Sequence, residues 1–486
     1  MNRQIRRLAV ALLVLYGALF VQLNVIQVVK ASDYDDNPRN TRAVVRDYGR
    51  PRGQIVDAEG NVLARSVTTD NHFGRQRVYP EHDLFGSITG YFSFSHGTDG
   101  VEKDYNAELA GRSAPRSLDR LPDLLLDDTH TNDVVLTLRK SVQEAARAAL
   151  GGRRGAVVAI DPRDGSVLAL WSFPSFDPEP LSANDQTVAR QTREAMLADP
   201  ANPLLPRAFR ETYFPGSTFK IVTTTAGLRS GVTPDEPSYP VERQFVPPDT
   251  RSPLRNFSGS ACGGKLFDIL RVSCNTAFAH MGLDVGADKL IGAAHDFGFG
   301  STPPFDLPAV AASTIEDASF FEHNRPLLAQ TAIGQNTVRA TPLQMALVAA
   351  GIANGGRIMA PHVLQEVRDD ENRVVRTAKP SVWRTATSPE EASVIRDAMA
   401  GVVAGGTAKA LAVPGIATAG KTGTAEVGNG TSHAWVIGFA PVEAPRVAVA
   451  VIVEGQPGAD EATGGRVAAP IGRAVLQAAL QAVPAG

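Results

Sequence analysis

One uncharged run limits how this chain can be arranged. After Arg3, Arg6 and Arg7, the segment from Leu8 to Val29 carries no charged residue, and the next charge is Lys30. As an α-helix its 22 residues would reach about 33 Å, enough to cross a hydrocarbon core once. No other segment is uncharged over a spanning length, so the body of the protein must lie on one side of any membrane the run crosses. Arginines at the extreme N-terminus favour a cytoplasmic start and an extracytoplasmic body, against which Lys30, Arg39 and Arg42 stand on the other flank. Gln22, Asn24 and Gln27 make the second half of the run less apolar, and with the Ala31-Ser32 pair they keep a cleaved signal peptide as the alternative. We expect residues 1–30 to be a cytoplasmic tail and signal anchor.

The rest of the 486 residues, at about 150 per domain, make more than one folded unit, and 43% hydrophobic content is ample for their cores. With 48 Lys and Arg against 51 Asp and Glu, the net charge of −3 gives no basic field for nucleic acid. Two cysteines exclude a disulfide framework and any four-thiolate zinc module. Residues 31–140 read as a small first domain, in which Gln54 to Ala64 forms two short strands around a Glu59-Gly60-Asn61 turn and Asp133 to Leu138 alternates like a strand. Lys140 to Leu150 has helical spacing, with Ser141 as the expected N-cap and Gly151 as the stop. Residues 141–486 form the second domain. It opens on a hairpin, Gly155 to Ile160 and Ser166 to Trp171 about the turn Asp161-Pro-Arg-Asp-Gly165, and closes on strands His433 to Ala440 and Val447 to Glu454 and a helix from Arg466 to Val483. Strands at both ends with helices between them predict an α+β fold, its sheet assembled from distant parts of the chain.

Three short motifs carry chemistry. Ser217-Thr-Phe-Lys220 opens a helical run, so the serine hydroxyl and the lysine amine share a face and can touch. A lysine in a dry pocket loses basicity and can take the proton of an otherwise weak serine nucleophile. Alone this pair means little, because 26 serines and nine lysines supply about half an S-x-x-K by chance. Lys421-Thr422-Gly423-Thr424 is sharper: nine lysines would be followed by Thr-Gly well under ~0.1 times by chance. A strand edge carrying it would offer Lys, Thr and free N–H groups to a substrate carboxylate, with Gly423 allowing close approach. Ser273-Cys274-Asn275 follows a helical piece, and Ser182-Ala183-Asn184 has the same form, so only order along the chain selects Ser273. Cys262 and Cys274 could close a disulfide that fixes the segment bearing Ser273; two buried thiols are the alternative.

In this order S-x-x-K, S-x-N and K-T-G resemble the penicillin-binding proteins. The likeness extends to Asp133-Val-Val-Leu-Thr-Leu138, Gly155 to Pro162, Ile333-Gly-Gln335, Thr341-Pro342 and His433-Ala-Trp435, and Arg52-Gly-Gln-Ile-Val-Asp57 resembles the opening of the non-catalytic domain of the monofunctional class B members. The resemblance implies a serine β-lactamase/penicillin-binding transpeptidase fold, an antiparallel sheet flanked by helices, with a small N-terminal non-catalytic domain and one transmembrane helix. It implies a peptidoglycan D,D-transpeptidase that cross-links stem peptides through a serine acyl-enzyme, releases D-alanine and is acylated by β-lactams. Ser217 would be the nucleophile, Lys220 its base and Ser273 a proton relay. Asn275 would hold Lys220 and the substrate amide, and Lys421 would set the electrostatics. Lys421, Thr422 and Thr424 would bind the substrate carboxylate, and the N–H groups of Ser217 and Thr424 would form the oxyanion hole. No cofactor or metal is implied. The implied partners are stem peptides and their lipid-linked precursor, a separate membrane glycosyltransferase, and division or elongation proteins. The competing readings are a carboxypeptidase or β-lactamase, and a non-catalytic β-lactam sensor. His433 reads as a packed strand residue, and Glu102 and Asp104 as surface or interdomain groups.

Overall fold

The computed structural model describes residues 2–30, 48–112, 130–428, 430–455 and 464–484. Ala31-Ser32, Arg39, Arg42 and Asn429 lie outside them. At the N-terminus, helix Asn2–Asn24 continues as a π-helical segment, Val25–Val29. The stretch Arg3–Gln27 is long and apolar enough to cross a membrane, and none of its most apolar window is buried against the protein.

Beyond residue 140 the fold is built on a five-stranded antiparallel sheet in the order Ala419–Gly428, Thr431–Ala440, Val447–Val453, Gly155–Ile160, Val167–Phe173. The early hairpin and the late strands meet as the sequence pattern predicts. Val447–Val453 and Gly155–Ile160 are unbroken runs of small and β-branched residues, buried at every position, because helices cover both faces of the sheet. Lys140–Leu150 and Ala468–Ala482 pack together on one face, and Pro342–Ala353 packs on the other. Apart from Gln344, whose Nε2 donates to Phe297 O at 2.7 Å, the last helix is apolar all round, and it is wholly buried up to Ile352, as such a helix must be. It starts sharply because Thr341 Oγ1 accepts the N–H of Gln344 and Pro342 occupies the first turn. Ala419–Gly428 is one of the two edge strands, which leaves one side of its backbone unpaired within the sheet.

A second sheet has six strands in the order Val374–Thr377, Leu364–Arg368, Asp133–Leu136, Ile55–Val56, Val62–Thr68, Arg75–Val78. Four come from the first part of the chain, but the hairpin spanning 364–377 comes from far inside the second. Asp133–Leu136 pairs in parallel with Ile55–Val56 on one side and antiparallel with Leu364–Arg368 on the other.

Two local expectations fail here. Ser141 is not the N-cap of helix Lys140–Leu150. The N-cap position falls two residues earlier, on Arg139, and the first N–H groups are met from the Glu59 turn, Lys140 N donating to Asp57 Oδ2 at 2.8 Å and Ser141 N to Glu59 Oε2 at 3.0 Å. Glu102 is not at the surface: it is fully buried between Arg52, whose Nη2 lies 2.6 Å from Oε2, and Arg77, whose Nε donates to Oε1 at 2.6 Å. Burial pushes its carboxyl up, and the two guanidiniums overcome that and hold it below the usual carboxylate range.

Candidate active site

Ser217 stands on a single 3₁₀ turn, Gly216–Phe219, that runs into helix Lys220–Arg229. Residues i and i+3 eclipse in a 3₁₀ turn, which places Lys220 directly behind Ser217. The approach to this turn is held at several points: Tyr213 Oη donates to Glu454 Oε1 at 3.0 Å, Trp435 Nε1 to Phe214 O at 3.0 Å, and Gly216 N to Gly334 O at 2.9 Å. Gly216 takes φ +54°, and a Cβ there would lie 2.7 Å from Thr424 O, so the turn is pressed against the Lys421-Thr-Gly-Thr strand. Gly423 serves the same contact. A Cβ on it would meet Pro215 O at 2.9 Å and Thr218 Cγ2 at 3.0 Å, so the glycine makes room for the nucleophile turn, where the sequence suggested room for substrate.

Ser273 lies between helices Leu266–Arg271 and Asn275–Val285 with φ +60°, and Cys274 takes the N-cap position of the second. A disulfide joins Cys274 to Cys262 on strand Cys262–Gly264, with Cα atoms 5.8 Å apart. Lys220, fully buried, places Nζ 2.8 Å from Ser273 O, 2.7 Å from Asn275 Oδ1 and 3.3 Å from Ser273 Oγ, and 5.2 Å from the Phe278 ring centre. Lys421, also fully buried, donates to Ser273 Oγ at 2.7 Å and to Thr422 O at 2.8 Å.

Two amines thus converge on one hydroxyl, and among the described residues neither forms an ion pair with a carboxylate. Burial first, and the neighbouring Lys421 second, push the Lys220 amine well below its usual value. Burial alone brings Lys421 down to about 7. A neutral Lys220 fits its two short contacts: its N–H groups serve the acceptor-only Ser273 O and Asn275 Oδ1, and neither contact uses its lone pair. Ser217 is half-exposed, and no hydrogen bond joins its Oγ to Lys220 or to any other described residue. Thr422 Oγ1 pairs with Thr407 Oγ1 at 2.6 Å, and Thr424 Oγ1 accepts the N–H of Gly464 at 3.4 Å. Ser182 and Asn184, the second S-x-N, lie far off at the contact with Tyr48, whose hydroxyl donates to Ser182 O at 3.1 Å. His433 is packed edge-on to Tyr213 and accepts Gly455 N–H at 3.0 Å. Among the described residues no group of three His, Cys, Asp or Glu could hold a metal.

A serine on a helix-opening turn beside an edge strand, with two buried lysines that bond no carboxylate among the described residues, defines the class of serine acyl-transfer enzymes to which penicillin-binding transpeptidases belong. Residues 155–477 match the penicillin-binding protein transpeptidase domain, and the chain belongs to that family. Residues 52–135 match the penicillin-binding protein A dimerisation domain, so the particular likeness is to penicillin-binding protein A. The chain is 40% identical over 498 aligned positions to the peptidoglycan D,D-transpeptidase PbpA of Mycolicibacterium smegmatis, covering 99% of each chain. It is 38% identical to the protein of the same name from Mycobacterium tuberculosis over the full length of both. The solved structure of penicillin-binding protein A from M. tuberculosis as a ceftriaxone acyl-enzyme superposes with a TM-score of 0.84 at 38% identity, over 90% of this chain and all of that one.

Proposed function

We propose that this protein is a membrane-anchored peptidoglycan D,D-transpeptidase, with residues 1–30 as cytoplasmic tail and anchor, 31–140 as the non-catalytic domain and 141–486 as the extracytoplasmic catalytic domain. The observation that carries the reading is the convergence of two buried amines, Lys220 and Lys421, on Ser273, with the half-exposed Ser217 on the turn that leads into Lys220. A buried pair of lysines is unfavourable unless it shares protons, and a pair that shares protons through a hydroxyl can move one.

In the acylation step the neutral Lys220 amine takes the Ser217 proton as Oγ attacks the carbonyl of the penultimate D-alanine. The Oγ–C bond forms and the C–N bond to the terminal D-alanine breaks. Its departing amine is protonated through Ser273, which Lys421 and Lys220 both address. The N–H groups of Ser217 and Thr424 hold the oxyanion, and the substrate carboxylate is bound by Thr422, Thr424 and the charge of Lys421. Asn275 orients Lys220 and receives the substrate amide. Next, the amine of a second stem peptide attacks the ester, and Ser217 recovers its proton. A β-lactam carries out the first step and stops, because its leaving group stays tethered in the path of the acceptor. A separate membrane glycosyltransferase supplies the glycan strands, and division or elongation proteins locate the enzyme. Intact-protein mass spectrometry after penicillin treatment should show one adduct, on Ser217 and absent from Ser217→Ala; an adduct that survives the substitution would overturn the reading.

A further inference from the structure

The segment from Tyr239 to Gly264 is a small flap of paired strands, Tyr239–Glu242 with Cys262–Gly264 and Gln244–Phe245 with Leu254–Arg255. It holds three consecutive residues next to Ser273. Cys274 is bonded to the flap through Cys262. The Asn275 amide donates from Nδ2 to Arg255 O at 3.0 Å, and Thr276 N donates to Asn256 Oδ1 at 3.0 Å. The last bond has a specific cause. Helix Asn275–Val285 needs an acceptor for its first N–H groups, and Cys274, at the N-cap position, makes no side-chain cap bond because its sulfur is committed to the disulfide. Asn256 supplies the cap from elsewhere in the chain. The residue is 4% exposed, and Nδ2 lies 2.8 Å from Glu242 O, 3.1 Å from Ser260 O and 3.2 Å from Thr276 Oγ1. One buried amide therefore ties a strand end, a turn and the helix start together.

We infer that Asn256 is a positioning residue for the transpeptidase reaction: it fixes Arg255 O against Asn275 and so sets which way the Asn275 amide faces. With Nδ2 turned to Arg255 O, Oδ1 is left facing Lys220 at 2.7 Å and the second Nδ2 hydrogen is free for the substrate. If the flap end shifts, the amide can turn over, and Lys220 then meets a donor where it needs an acceptor.

The inference rests on the site assignment proposed above and is separable from it. Acylation is timed with penicillin G, whose side chain carries an amide, and with 6-aminopenicillanic acid, which has none. Asn256→Ala should slow penicillin G about tenfold more than 6-aminopenicillanic acid, the discrimination carried by one hydrogen bond. Asn256→Ser, whose hydroxyl can both accept from Thr276 N–H and donate to the flap, should recover part of that discrimination and secures the test if the alanine variant folds poorly. Equal slowing of both compounds, or of neither, would overturn the inference while leaving Ser217 assigned; absence of any Ser217 adduct in the parent protein would instead remove the reading on which it rests.

Discussion

The protein buries two clusters of paired cations and treats them in opposite ways. In the small domain Arg52 and Arg77 close on Glu102, and the carboxylate between them is fully buried and ionised. In the catalytic domain Lys220 and Lys421 close on Ser273, a neutral hydroxyl, with no carboxylate bonded to either among the described residues. The choice of cation explains the difference. A guanidinium cannot lose its proton, so burial of two of them demands an anion; an ammonium can, so burial turns it into a base. The first cluster is a fixed joint and the second a proton store.

Exchanging the cations should break this contrast most strongly. Lys220→Arg keeps a positive charge in the same place but removes the base, and acylation by penicillin should fall by about a thousandfold with the far-ultraviolet circular dichroism unchanged. A rate within threefold of the parent would show that Lys220 is not the base. The counterpart is Glu102→Gln, which leaves two guanidiniums buried without an anion and should cost about 3–5 kcal/mol in urea unfolding, while the acylation rate per folded molecule is retained. Reducing the Cys262–Cys274 bond, or replacing both cysteines with serine, should lower stability by about 3 kcal/mol, since it opens a loop of twelve positions.

pH separates the two clusters with smaller effects, at most about 1.4 kcal/mol per pH unit for each proton. The folded-state value of Glu102 is depressed, so its contribution is complete above the ordinary carboxylate value of about 4.3 and is lost as pH falls through the lower folded value. Lys421 is depressed to about 7, so between there and the free-lysine value of about 10.4 the unfolded chain binds the extra proton and stability rises with pH. Urea midpoints measured across both ranges should show the two slopes, and Lys421→Met should reduce only the alkaline one, leaving the part that Lys220 contributes. The same substitution removes a positive neighbour from Lys220, so the acid limb of acylation should move to higher pH.

Much of the catalytic half was legible because its signals are local. The Asp161–Gly165 turn, the buried valine runs and Gly151 as a helix stop, φ +59°, lie within a few residues of what they determine. The order of the three motifs selects Ser273, which lies at both lysines, over Ser182, which lies at Tyr48. What escaped depends on partners far along the chain. Glu102 carries no local mark of burial, since Arg52 and Arg77 reach it across 50 and 25 positions. Ser141 was a sound cap by composition, and Asp57 and Glu59 pre-empted it from a turn about 80 residues earlier. Asn256 gave no signal because it caps a helix to which it does not belong. Spacing alone pairs the Lys220 amine with Ser217, but the hydrogen bonds it makes go to Ser273 and Asn275, which lie more than fifty positions along the chain.

The hairpin at 364–377 has a consequence for how such a protein can be cut and recombined. Leu364–Arg368 is bonded along one side to Asp133–Leu136, and the outer strand Val374–Thr377 exposes Val374 and Val375. A catalytic fragment begun at residue 141 would carry away a β-ribbon whose ladder partner had been left behind, a raw edge flanked by bare valines that invites pairing with other copies. The two parts are therefore not interchangeable cassettes. A soluble version should begin ahead of Tyr48 and retain the whole first sheet, and a chimera that exchanges the small domain for a relative's should exchange this ribbon with it.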